Sequence, residues 1–253
     1  MEPQSAEVLR NALESGAEAL GIRLEPEKLQ SCLRYADLLL EYNRHTNLTR
    51  ITDPESVAVK HFVDSLTVLA VVPHLAKGGS LADIGTGAGF PGLVLKIACP
   101  DLHVTLIDSL GKRLTFLAEV VQALGLPNVT LVHARAEDVG RDPAHRDRYD
   151  VVTARAVAAL PVLLEWCGPL ARPGGVFVAM KAAQVDTELA QGVIAAAELG
   201  FRLRTDTTLT LPALAGDEAG ASTRRLLVYK KHQPTPARYP RRPAEIKAAP
   251  LGS

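Results

Sequence analysis

The stretch Asp83-Ile84-Gly85-Thr86-Gly87-Ala88-Gly89-Phe90-Pro91-Gly92, DIGTGAGFPG, carries two overlapping glycine patterns. Gly85, Gly87 and Gly89 read GxGxG, whereas Gly87, Gly89 and Gly92 read GxGxxG. The residues before it, SLADIG (80–85), have the apolar character of a buried strand, and residues 90–98 read as a helix. A glycine turn between strand and helix lets the backbone bend tightly and approach a ligand closely. The loop is therefore read as nucleotide-binding, and the fold follows from what surrounds it.

Downstream, HVTLID (103–108), VTLVHA (129–134), YDVVTAR (149–155) and VFVAMK (176–181) continue the strand pattern. Helical stretches at about 112–125, 159–170 and 184–199 separate them. Such alternation implies a parallel sheet wound on both faces. FRLRTDTTL (201–209) and RRLLVYKK (224–231) follow without an intervening helix and read as an antiparallel edge pair, which makes seven strands. Upstream, Leu29, Leu33, Ala36 and Leu40 share a helical face, and TDPES starts another helix with Asp53 as N-cap and Pro54 inside. Three segments are expected: a helical extension (1–76), the sheet domain (77–231) and a tail (232–253). The tail has five prolines and no apolar period, so it is expected to be mobile or to hug the surface.

The composition, 47% hydrophobic and 22% charged, is that of a globular chain, and the net charge is zero. Charge is unevenly placed. Residues 1–41 hold four basic and eight acidic side chains, while residues 230–253 hold six basic and one acidic. That asymmetry points to a polyanionic partner. Cys32, Cys99 and Cys167 are far apart and make neither a metal spacing nor a disulfide framework, which fits a reducing cytoplasm. No signal peptide or membrane-length apolar run is expected.

Two adenosine-bearing cofactors compete for the loop. Asp108 ends the next strand, where it serves either as a helix cap or as an acceptor for ribose hydroxyls. Asp83 would suit a cationic headgroup or the loop's own amides, and would sit badly beside a pyrophosphate. The sheet ends in a helix-less pair where a dinucleotide fold would repeat its first half. No separate substrate domain with a proton-relay His or Tyr–Lys set is visible. These features favour S-adenosylmethionine, a sulfonium without phosphate, over a nicotinamide dinucleotide. Ala136 and Glu137 then stand at the carboxyl edge of the third strand, with Glu137 either meeting the adenine amino group or solvated. Arg155 ends the fourth strand at the cleft mouth. His61 and Asp64, spaced i and i+3, read as a plain helix-surface pair, and His133 as a structural histidine.

NRHTNLT, HFVDSL, LADIGTGAGFPGLVLKI, LIDSLGKRLTFL and TARAVAAL together resemble the glucose-inhibited division protein B family of ribosomal RNA methyltransferases, over residues 30–231. The resemblance implies a Rossmann-like class I S-adenosylmethionine-dependent methyltransferase fold: α/β, with a mostly parallel seven-stranded sheet and a helical N-terminal extension. It implies methylation of guanine N7 at position 527 of 16S ribosomal RNA. The family's cofactor contacts fall on Gly85, Phe90, Ala136, Glu137 and Arg155, with Asp108 at the ribose, beside Asp83, Gly87 and Gly89 of the loop. The family's basic arm, YPRKxGxPxKKPL, is kept here only as Tyr239, Pro240, Arg241 and Arg242.

Guanine N7 has an in-plane lone pair and needs no deprotonation, so no general base is expected and Arg155 is assigned at most a positioning role. Lys112, Arg113, Arg135, Arg155, Lys181, Arg238, Arg241 and Arg242 are expected to meet RNA, mostly at phosphate. Asn43, Asn47 and Thr49 either reach base edges or form turns. Deleting the tail is expected to weaken RNA binding and spare the cofactor. The expected partner is the 16S RNA or small subunit, for a cytoplasmic monomer without a metal or a membrane. The alternatives are a non-catalytic RNA-binding protein on the same fold and a NAD-dependent oxidoreductase.

Overall fold

The computed structural model describes residues 1–155, 158–182, 185–214 and 222–252. The expected helix start at residue 184, and Ala156 and Val157 of TARAVAAL, lie outside them. Seven strands form one sheet: β1 (Gly79–Ile84), β2 (Leu102–Asp108), β3 (Val129–His133), β4 (Tyr149–Arg155), β5 (Ala171–Ala182), β6 (Phe201–Thr210) and β7 (Thr223–Lys231). Their order is β3-β2-β1-β4-β5-β7-β6. The first five are parallel, and β7 runs antiparallel between β5 and β6. Strand order reverses beside β1, and in a sheet of this kind ligands bind beyond the carboxyl ends at the reversal.

The period of two divides the strands between two cores. Leu81, Val151, Val178 and Leu226 face one side; their neighbours Ala82, Val152, Ala179 and Leu227 face the other. With both faces covered, the strands read as continuous apolar runs. The second face packs α8 (Leu160–Cys167) and α9 (Asp186–Glu198).

The first face packs α5 (Gly92–Ala98) and α6 (Gly111–Ala123) together with the N-terminal helices α1 (Pro3–Ala19), α2 (Pro26–Thr46), α3 (Pro54–Val57) and α4 (Asp64–Val71). Asp53 caps α3, accepting from Ser56 N at 2.9 Å. Between α3 and α4 the backbone widens to a π-helical segment, Ala58–Val63. One apolar cluster runs from Leu9 and Leu13 through Tyr35 and Phe62 to Leu226 and Val228, so packing crosses the expected boundary at residue 76 without a break. No helix among the described residues is long and apolar enough to cross a membrane.

The tail is neither loose nor patternless. Tyr239, Ile246 and Leu251 are buried, and residues Pro243–Ala248 form α10. Of the two expectations, a mobile arm or one that hugs the surface, the second holds; its helix went unread because its apolar residues are spaced by prolines rather than by a helical or strand period.

Candidate active site

The glycine loop is held from behind. Asp83 is fully buried at 0% exposure. Its carboxylate accepts from Thr86 Oγ1 (2.7 Å), Gly92 N (3.0 Å) and Thr153 Oγ1 (2.9 Å). Of the two roles open to it, Asp83 therefore takes the loop's own donors and does not enter the cleft, a correction to its place among cofactor ligands. Gly89 also lies behind the loop. With φ at +97°, its Cα abuts the Tyr35 hydroxyl, which donates to Ala88 O, so α2 reaches the loop only because position 89 has no side chain.

Burial pushes the Asp83 carboxyl up to about 6. A folded-state value above that of an exposed aspartate means that the native state holds the proton more tightly. Asp83 therefore contributes stability below about pH 4 that is lost as pH rises through about 6. Urea midpoints across this range should fall with rising pH, and Asp83→Asn should flatten the slope. Equal slopes in the two proteins would exclude the assignment.

A lobe of about 200 Å³ opens between the ends of β1, β2 and β3. Gly85, Asp108, Arg113, Ala136, Glu137 and Trp166 are on its walls. Asp108 accepts from Gly87 N (2.9 Å), Leu110 N (2.9 Å) and Arg113 Nη1 (3.0 Å), so it is both turn cap and cleft carboxylate. Ala136 opens a single helical turn, α7 (Ala136–Val139). Glu137, the next residue, is only 5% exposed, and its carboxylate has no hydrogen-bond partner among the described residues. Among the described residues, the fully buried unpartnered donor of this lobe is Trp166 Nε1, on the wall shared with Glu137.

A second lobe, of about 480 Å³, shares Gly85 and Arg113 with the first. Here the structure overturns the surface-pair reading of His61 and Asp64. Both are buried. Asp64 accepts from Arg155 Nη1 at 2.9 Å and from Arg224 Nε at 3.0 Å, two arginines from different strands. His61 stacks on Phe90 with ring centroids 4.6 Å apart and bonds Thr49 Oγ1 through Nε2 at 3.0 Å. Burial and the neighbouring Arg155 push its pKa down to about 3. Arg155 lies 5.3 Å from the Phe90 ring centre, so His61 and Arg155 both join this cluster to the loop through one ring. Lys60 and Lys181 also line the lobe.

The sequence did hold a signal for the buried pair. VAVKHFVDSL is apolar on nearly every side, the mark of a helix buried all round. Arg224, 160 residues from Asp64, had none.

Several expected RNA contacts are engaged elsewhere. Asn43 donates to Thr49 O (3.0 Å) and accepts from Thr49 N (2.9 Å), which closes the loop after α2. Asn47 ends α2 in the left-handed conformation at φ 47°. Both are turn formers, as the second reading had it. Arg113 belongs to the cleft, and Lys181 pairs with Glu188 at 2.8 Å. Arg238 pairs with Glu198 and Arg241 with buried Glu165, because the docked tail brings acids to them. Lys112, Arg135 and Arg242 remain exposed. His133 bonds Ser109 O at 3.1 Å, a structural role.

Residues 28–209 match the family described as GidB, rRNA small subunit methyltransferase G. The chain belongs to the GidB family. A ribosomal RNA small subunit methyltransferase G from Symbiobacterium thermophilum is 45% identical over 251 residues, 97% of this chain and 99% of that relative. Another from Limosilactobacillus reuteri is 47% identical over 233 residues, covering 91% and 94%. A solved structure from Pyrococcus horikoshii, described as a candidate RNA methyltransferase, superimposes with a TM-score of 0.50 at 15% identity. It covers 67% of this chain and 84% of its own, a likeness of fold alone.

S-adenosylmethionine is the cofactor of this GidB-family chain, and the residues fit it. The loop amides of Gly85, Thr86, Gly89 and Phe90 donate to backbone carbonyls, while those of Gly87 and Gly92 donate to carboxylates. A pyrophosphate would find those amides taken and Asp108 facing it. The carboxylates of Asp108 and Glu137 line the same lobe and are acceptors of the kind that ribose hydroxyls and an adenine amine require.

Proposed function

We propose that this chain methylates guanine N7 of 16S ribosomal RNA. The observation that carries the reading is a cleft whose two lobes meet at Gly85 and Arg113, one balanced in charge and the other strongly basic. The first lobe, where Asp108 and Glu137 are matched by Arg113 and Arg135, offers carboxylates to a neutral adenosine rich in donors. The basic lobe, with Lys60, Arg155 and Arg224 around the one carboxylate of Asp64, suits the phosphates flanking an extruded base.

When bound, S-adenosylmethionine supplies an electrophilic methyl group on sulfur. The chain's task is then alignment. Arg155 is fixed by Asp64 and by the carbonyl of Lys60 (3.1 Å), so a pre-set guanidinium stands in the basic lobe. His61 has too low a pKa to take a proton efficiently at neutral pH, and an N7 lone pair asks for none. The same reading covers a cytoplasmic monomer that uses no metal, since displacement at a sulfonium by a neutral nitrogen needs no Lewis acid.

The test is transfer of a tritiated methyl group to naked 16S RNA and to small subunits from cells lacking this protein, with mapping of the modified atom. Label at guanine N7 supports the proposal. Cofactor binding without transfer to either substrate would favour a non-catalytic RNA-binding protein.

A further inference from the structure

We infer that the C-terminal strap, residues 235–251, sets cofactor affinity by holding the adenine wall of the cleft, with Arg146 and Arg241 as positioning residues. The inference rests on the reading of Glu137 as the adenine contact.

Glu137 stands on α7, one helical turn four residues long. A helix that short has no stability of its own and stays where tertiary contacts hold it. The contacts at its end come from the strap. Pro240 packs on Gly140 so closely that a Cβ there would lie 3.0 Å from the proline ring. Arg146 donates to Gly140 O (2.9 Å) and, with the same guanidinium, to Thr235 O (2.7 Å), Pro236 O (3.2 Å) and Tyr239 O (2.8 Å). One cation thus ties the end of α7 to three strap carbonyls.

The opposite side of the wall is held in the same way. Trp166 lines the same lobe as Glu137 from α8, and its neighbour Glu165 is 0% exposed. The Glu165 carboxylate accepts from Arg241 N (2.8 Å), Nε (2.9 Å) and Nη2 (2.7 Å). Without Arg241 a buried charge is left unpaired, and α8 must shift to hydrate it. The charge of Arg241 is therefore spent inside the protein, so its loss should show in cofactor binding before RNA binding.

The test uses the full chain and two ligands that differ only at purine C6. S-adenosylhomocysteine carries the exocyclic amine; the purine-riboside analogue of S-adenosylhomocysteine carries hydrogen there. By calorimetry the wild type should prefer the adenosyl ligand by about tenfold, the scale of a hydrogen bond to a charged group. Glu137→Gln should reduce the preference to about twofold. Arg241→Met should do the same although it lies outside the pocket, Arg241→Lys should restore part of it, and adding Arg241→Met to Glu137→Gln should change the ratio no further. A merely destabilising change would leave the ratio intact. Should Arg241→Met not fold, Glu165→Gln loosens the same contact with its shape retained and is read identically. If Glu137→Gln abolishes the preference while the strap variants keep it, the strap has no such role. If Glu137→Gln keeps it, the adenine reading fails and the inference falls with it.

Discussion

RNA carrying 7-deazaguanine at the target position is expected to accept no methyl group. The replaced atom is the proposed acceptor, so transfer should drop below detection, whereas binding should weaken only modestly because most affinity comes from phosphate. The companion result concerns pH. His61 is buried and held down to about 3, so the chemical step should show no titrating base above about pH 6 once binding and folding are held constant. Steady methylation of the 7-deaza substrate would move the reaction to another atom and leave only the cofactor assignment standing.

Asp108→Ala is expected to raise the dissociation constant for S-adenosylmethionine about 100-fold. Two losses add. The ribose loses its acceptor, and the loop loses its brace, because Gly87 N, Leu110 N and Arg113 all converge on this carboxylate. Asp108→Asn, which keeps one acceptor oxygen, should lose about tenfold. NADH should bind none of the three proteins. Calorimetry with far-ultraviolet circular dichroism separates a cofactor effect from unfolding, and wild-type affinity in the alanine variant would remove Asp108 from the site.

The strands were legible because a sheet covered on both faces prints itself as apolar runs separated by glycine and charged turns; YDVVTAR matches β4 residue for residue. Part of the first lobe was legible for the same reason: Asp108 ends a strand and Glu137 follows one closely, whereas Trp166 reaches it from α8 with no local signal. The basic lobe was not. Asp64 meets Arg155 and Arg224 across 91 and 160 residues, and no local pattern encodes such a meeting. The tail misled in another way. Its arginines look free when counted, but Glu165 and Glu198 are waiting on helices that precede it by some 40 to 76 residues. Asp83 sat in the right motif and the wrong side of it, a distinction that depends on Thr153 of a neighbouring strand.

The continuous cluster from Leu9 to Val228 has a consequence for the chain's birth. α4 ends at residue 71, and β7, on which it packs, is complete only at residue 231. At about 5–20 residues per second, synthesis of the intervening stretch takes about 10–30 s. Throughout that interval the nascent helices have only an incomplete sheet to cover their leucine, valine and phenylalanine, because β7 is added last. A chain built this way is exposed to aggregation while still attached to a ribosome, and chaperone capture should peak before residue 231 leaves the exit tunnel. Its final helical coat is laid down first and closed last.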